Sequence, residues 1–289
     1  MSGPELIKLG IQVSIFLTVL GMGLVSTWGD ATFLLRKPGL LVRSFLSMFV
    51  IMPIICVGAA LLFHLPPAIK VALVALAISP VPPFLPKKEL AAGSHSAYVI
   101  SLVSLAAVLS IVFVPIVTSL FGAWFDRPAE VSADKVTEIV AVTILIPLAL
   151  GMAIRAGMPG LAAKAAKPAG LVGIVLLVAC VVPLLIKLWP LVSSFIGDGT
   201  VITLAVIALA GTAVGHLLGG PDNWDRTALG LSTSARHPAV AIAVATSALE
   251  QGKAALGAVL LYVLVVTIVT IPYVVWSKKQ GRPAVGAAA

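Results

Sequence analysis

Apolar runs long enough to cross a hydrocarbon layer follow one another almost without pause from residue 6 to residue 276, and this succession constrains the fold more than any other feature. They lie at 6–26, 40–63, 69–93, 97–121, 138–154, 169–190, 200–218, 227–249 and 254–276. A layer of ~30 Å takes about 20 apolar residues in a helix, so nine spans are expected. The punctuation between them, such as Arg36-Lys37-Pro38-Gly39, His64-Leu65-Pro66-Pro67 and Gly219-Gly220-Pro221-Asp222-Asn223, leaves no room for a soluble domain. In lipid a helix satisfies its own backbone where an open sheet cannot. The expectation is an all-α integral membrane protein with a single polytopic domain over residues 1–289.

Composition agrees: 60% of the residues are hydrophobic and 10% charged, too little polar surface for a water-soluble chain of this length. Cys56 and Cys180 both sit inside apolar runs and read as packing residues, not as a disulfide or a catalytic thiol. Residues 11–25 resemble a signal-peptide core, but Ser26-Thr27-Trp28-Gly29-Asp30 reads as a helix end without a cleavage site, so the run is expected to be retained. Ten cations fall on one side of the spans: Arg36, Lys37, Arg43, Arg155, Lys164, Lys167, Arg226, Lys278, Lys279 and Arg282. Six fall on the other, namely Lys8, Lys70, Arg127, Lys135, Lys187 and Lys253, and its longest loop, Phe125 to Glu138, carries more acid than base. The positive side is the cytoplasmic one, which predicts a cell-membrane protein with its amino terminus outside and its carboxyl terminus in the cytoplasm. The net charge of +8 then reports topology, not a nucleic-acid partner.

Lys87, Lys88 and Arg236 belong to neither side, and they fall in the two spans with prolines in mid-segment: Ser79-Pro80-Val81-Pro82-Pro83-Phe84-Leu85-Pro86 and His237-Pro238. Four prolines within seven residues cannot continue an α-helix, because each lacks an N–H and clashes with the preceding turn. The third span must break, and backbone freed inside a bilayer survives only against protein or a water-filled cavity. Pro80 precedes Gly93 by thirteen residues, and Pro238 precedes Gly252 by fourteen. The two interrupted spans lie five apart, which makes their units opposite in topology, the pattern of an inverted-repeat transporter with paired broken helices at its central site. Nine spans then look like a five-plus-five frame lacking its first helix.

Arg236 is the sharpest single signal, since a guanidinium at mid-bilayer costs ~2.5–3.5 kcal/mol even on lenient scales. It can bind an anionic group bidentately, or it can snorkel or pair with a carbonyl at the helix break. His237 can gate protons or hydrogen-bond the carbonyls that Pro238 frees. Glu89, the one acid in the interior of any span, can carry a coupling proton or neutralise Lys87 and Lys88 near an interface. Those lysines can attract anions at the mouth of a short half-helix or lie at the cytoplasmic headgroups. Ser79, Ser232, Thr233 and Ser234 stand near the breaks, where hydroxyls line polar cavities or back-bond to carbonyls. Trp28, Trp124, Trp189, Trp224 and Trp276 fall at span ends, as interfacial anchors do.

The ordered succession Leu20-Gly21-Met22-Gly23-Leu24, Lys37-Pro38, Phe49-Val50-Ile51-Met52-Pro53, Leu65-Pro66, Ser79-Pro80 and Leu90-Ala91-Ala92-Gly93 resembles the bile acid:sodium symporter family, and the resemblance extends through Thr227–Ala241. It implies a nine- or ten-helix fold with a panel domain and a core domain, two crossing broken helices, and sodium-coupled uptake of organic anions by alternating access. The chain departs from the pattern where that resemblance places sodium chemistry. The family's glutamate falls on Ser232, its glutamine-asparagine pair on Arg236 and His237, and a glutamine of an earlier helix on Met48. Sodium wants several oxygens in a compact shell, and a fixed guanidinium four residues from Ser232, on the same helical face, would repel it.

The expectation is therefore a divergent member: a secondary active transporter or facilitator of an organic anion, without sodium coupling, whose Arg236 supplies a tethered positive charge. The substrate site is expected from Arg236, His237, Ser232, Ser234, Ser79, Pro80 and Pro238, with Glu89 and His237 as coupling or charge-relay groups. Alternatives are a sodium-coupled symporter of the same family and a transporter-shaped binding protein or sensor. No zinc motif, nucleophile elbow, phosphate-cradling glycine loop or nucleotide-binding domain is present, so neither an enzyme nor a cofactor or metal site is expected. The partners expected are the organic anion and the lipid bilayer. Which anion, and the oligomeric state, stay open.

Overall fold

A computed structural model describes residues 3–124, 131–248 and 252–280, all helical or connecting, with no strand among the described residues. Arg127, Arg282 and the start of the expected Phe125 to Glu138 loop lie outside them, as do the side chains of Lys8, Trp124 and Lys253. Among the described residues, seven helices are long and apolar enough to cross a membrane: α1 (Gly3–Gly23), α2 (Pro38–Leu62), α5 (Ser96–Trp124), α6 (Ala133–Gly157), α7 (Pro159–Ser193), α8 (Thr200–Leu218) and the last, which a turn at Thr270 divides into α11 (Gly252–Val269) and α12 (Ile271–Lys279). The other two expected spans are each divided. The third is α3 (Pro67–Ile78) and α4 (Leu85–Ala91), and the eighth is α9 (Asn223–Ser234) and α10 (Pro238–Ala248).

Each division lies at its proline. Pro80 ends α3 because no N–H is available to continue the ladder, and Ser79 before it is already extended (φ −75°, ψ 152°). Pro238 opens α10 at a helix start, where a missing N–H costs nothing, and Ala235 before the break is extended (φ −93°, ψ 137°).

Helices α1, α6 and α7 pack tightly on one another through small residues, a common way for helices to approach in lipid. A Cβ added at Gly23 would stand 2.5 Å from the Leu148 carbonyl oxygen, and one at Gly151 would stand 2.6 Å from that of Leu20. The largest buried apolar cluster runs through the other helices, with Met52, Leu73, Leu102 and Val259 fully buried in it, and takes in Val136, Val140 and Ile144 of α6. Helix α7 is 35 residues long with only 11% of its apolar window buried, so most of its surface faces outward.

On the expected cation-rich side, three side chains are held by local hydrogen bonds. Arg155 donates to the Val25 carbonyl, Arg36 Nη2 to that of Gly29 (2.6 Å), and Asn223 to the Gln280 side chain (3.2 Å). Trp28, Trp189 and Trp276 are exposed at helix ends, in keeping with their expected anchoring role. Trp224 is not: it is buried, with its ring against Gly93 so closely that a Cβ there would meet it at 2.4 Å. Gly93 has φ +104°, a conformation glycine adopts freely, and this lets the chain turn beneath the indole from α4 toward α5. Trp224 therefore fixes the junction of α4, α5 and α9 and anchors nothing to an interface.

Candidate functional site

The two extended breaks meet. The His237 N–H donates to the Pro80 carbonyl at 2.8 Å, so each interrupted span satisfies part of the backbone that the other has freed. Arg236 lies within this crossing, 2% exposed, and its guanidinium reaches two main-chain oxygens: Nη1 donates to the Ser79 carbonyl at 3.3 Å and Nη2 to the Met48 carbonyl at 2.6 Å.

The Met48 carbonyl is free for a local reason. Helix α2 widens to a π-turn over Leu46–Ile51, in which the Met52 N–H bonds back to Ser47, five residues earlier. In that register the Met48 oxygen would face the nitrogen of Pro53, which carries no hydrogen. The guanidinium takes the place of the missing donor. Met48 was expected to mark only the loss of a polar side chain; its main chain supplies the contact, and Pro53, five residues on, is the sequence signal for it.

Helix α6 repeats the device. A π-turn spans Ala141–Leu145, with Pro147 close behind. Thr143, inside that turn, donates its single hydroxyl hydrogen to the Ile139 carbonyl (2.6 Å) and stands 3.2 Å from His237 Nε2. With the hydroxyl hydrogen spent, the imidazole is assigned as the donor at Nε2, which leaves Nδ1 an acceptor; that atom is buried and unpartnered.

The hydroxyls divide into two sets. Ser79 back-bonds to Ala75 (2.7 Å), and Ser234 to Gly230 and Leu231 (both 3.1 Å), so these close the ends of their own half-helices. Thr233 pairs with Ser47 of α2 at 2.7 Å, and Ser232 donates to Glu89 Oε1 at 2.5 Å. Tyr262 of α11 donates to the Ser234 carbonyl at 2.7 Å, satisfying another oxygen freed by the break. Arg236, His237, Ser79 and Pro80 thus come together directly, Ser234 and Pro238 flank them, and Ser232 and Glu89 meet where α4 packs on α9.

A cavity of about 120 Å³ opens beside the crossing, with Arg236, Lys88, Ser234, Thr267 and Thr270 as its polar lining. Lys88 Nζ donates to Thr270 Oγ1 at 2.6 Å, while Lys87 Nζ donates to the Gly170 carbonyl of α7 at 2.8 Å. Lys88 therefore lines a cavity, a placement its sequence neighbourhood left open. Arg236 has no carboxylate within ion-pairing distance among the described residues, and its Nε–H is buried without a partner. The arrangement is a fixed, incompletely satisfied cation at the edge of a mainly apolar cavity. Such a site attracts an anion and disfavours a metal cation.

In the first turn of α9, Asp225 Oδ1 lies 3.0 Å from His95 Nδ1, with Asp222 close by. Together with Trp224 on Gly93, this pair ties the start of α9 to the turn before α5.

Seven long apolar helices and two proline-broken ones with a buried cation at their crossing define a transporter-like, multi-pass membrane protein. The profile of the sodium bile acid symporter family matches residues 12–194, well over half of the chain, and the protein belongs to that family. The matched stretch includes the break at Pro80 and stops before Arg236. Among curated proteins, none matches the chain.

Proposed function

We propose that the protein carries an organic anion across the cell membrane by alternating access, with Arg236 as a built-in cation in place of bound sodium. One observation carries the reading: a buried guanidinium lines a cavity, bonds only to main-chain oxygens, keeps its Nε–H unpartnered, and has no carboxylate beside it among the described residues. A buried charge is stable when paired, and an anionic substrate completes the pair. The carbonyls of Met48 and Ser79, oxygens of the sort that would attract a mobile cation, are already taken by the guanidinium.

In this reading α1, α6 and α7 form a panel and the other helices a core. The bonds from His237 to Thr143 and from Lys87 to Gly170 join the two bodies beside the site, and movement of one against the other breaks and remakes them. The divided spans count as the third and eighth of nine, related as inverted repeats, with the amino terminus outside and the carboxyl terminus in the cytoplasm. The charge distribution supports that orientation.

The test is thermal stabilisation of the detergent-purified protein by benzoate, pyruvate and glycocholate, each with and without sodium. Stabilisation by at least one of them, indifferent to sodium and lost in Arg236→Ala, is the expected result. Stabilisation that survives the substitution undiminished would take Arg236 out of the site.

A further inference from the structure

Glu89 stands apart from the anion cavity but is built into the same crossing. Its side chain is fully buried; Oε1 accepts the Ser232 hydroxyl at 2.5 Å, and Oε2 has no partner at all. No cation lies within ion-pairing distance of it among the described residues. Lys88, its neighbour in sequence, turns its ammonium the other way, to Thr270 and the cavity. An ionised carboxylate with one bare oxygen is costly at such a place, whereas a protonated one carries no charge to bury.

The groups around Glu89 leave it as the one acid free to exchange a proton there. On its own helix are Lys87 and Lys88, both engaged with oxygens of neighbouring segments. From α9 come Asp225, bonded to His95, and Arg226, whose Nε donates to the Gly220 carbonyl at 2.7 Å. From α5 comes Tyr98, whose hydroxyl pairs with Ser44 at 2.8 Å. Helix α7 and the segment at Thr270 meet α4 through a carbonyl and a hydroxyl, neither of which titrates.

We infer that Glu89 binds and releases a proton in step with the anion, so that the substrate crosses together with a proton taken up on one side and given up on the other. The inference rests on the anion-carrier reading above. An anion held between Lys88 and Arg236 cancels the positive field that favours the Glu89 carboxylate, and adds a like charge near it, so the carboxylate gains a proton. By linkage the protonated carboxyl in turn favours the anion. When the anion leaves, the field of Lys88 returns and the proton departs to whichever side is open. Glu89 delivers its carboxyl to Ser232 from the opposing broken helix, so the proton-binding group itself bridges the two interrupted spans.

The experiment measures proton uptake from weakly buffered solution when the full-length, detergent-purified protein is mixed with benzoate, pyruvate or glycocholate. The wild-type protein should take up as much as about one proton per bound anion, and its affinity should weaken up to about tenfold per pH unit on the alkaline side. Glu89→Gln should bind with no proton uptake and with an affinity that no longer depends on pH; Glu89→Asp should restore uptake with a displaced midpoint. Should the glutamine variant not fold, the aspartate variant decides, and an undisplaced midpoint would count against Glu89. Anion binding by the wild-type protein without proton uptake, or uptake that persists in the glutamine variant, overturns the inference and leaves the anion site standing. Failure of the wild-type protein to bind any of the three removes the anion-carrier reading, and this inference with it.

Discussion

Arg236 draws its hydrogen bonds from main chain alone, and this sets what a substitution there does. A guanidinium spans the Met48 and Ser79 carbonyls with two nitrogens of one rigid plane, while an ammonium is a point donor on a flexible stem. Arg236→Lys keeps the charge and loses one of the two oxygens, and a hydrogen bond from a charged group is worth about 1.5–3 kcal/mol. Anion affinity measured by calorimetric titration should therefore fall about tenfold or more; equal affinity in the lysine variant would reduce the role of Arg236 to its charge. At this scale the sequence was half legible. A cation beside a proline in an apolar run announced Arg236, and its pairing with carbonyls was among the readings weighed. The identity of those carbonyls was hidden, because main-chain oxygens leave no trace in residue type and Met48 reads as an apolar position.

At the scale of elements, prolines do most of the positioning. Pro80 and Pro238 divide two spans, and Pro53 and Pro147 follow two π-turns that place Met48 and Thr143 against the crossing. Pro53→Ala would return an N–H to α2 and let it compete with Arg236 for the freed oxygens. Weaker anion binding at little cost in stability is expected, read by titration and thermal unfolding of the same samples; unaltered binding would separate the π-turn from the site. Gly93→Ala tests the other junction. A Cβ there meets the buried Trp224 ring at 2.4 Å and the position has φ +104°, so a loss of about 2 kcal/mol or more is expected in unfolding measurements, from strain and overlap together. The breaks were legible because proline clusters forbid a helix whatever the tertiary context. The π-turns were not, since a single proline inside an apolar run is as compatible with a plain helix, and Trp224 was misjudged because its place at a span end said nothing of the glycine waiting across the turn.

For the whole molecule, the all-helical organisation followed from apolar run length, with helix ends displaced outward by several residues, as at α7, where the run at 169–190 extends to Pro159–Ser193. At ~1.5 Å per residue that helix is about 52 Å long, more than a hydrocarbon layer of ~30 Å, so it tilts or projects beyond the membrane. Helices α1, α6 and α7 pack closely on one another while both broken spans lie among the remaining helices, and in the proposed reading these are the two parts that alternating access moves. The account's central claim concerns what drives them: a tethered guanidinium occupies the crossing, and no mobile sodium ion is needed. Uptake of the stabilising anion into proteoliposomes, with and without an imposed inward sodium gradient at fixed pH and membrane potential, tests it most directly. The account predicts the same initial rate in both; uptake that appears only with the sodium gradient would contradict it.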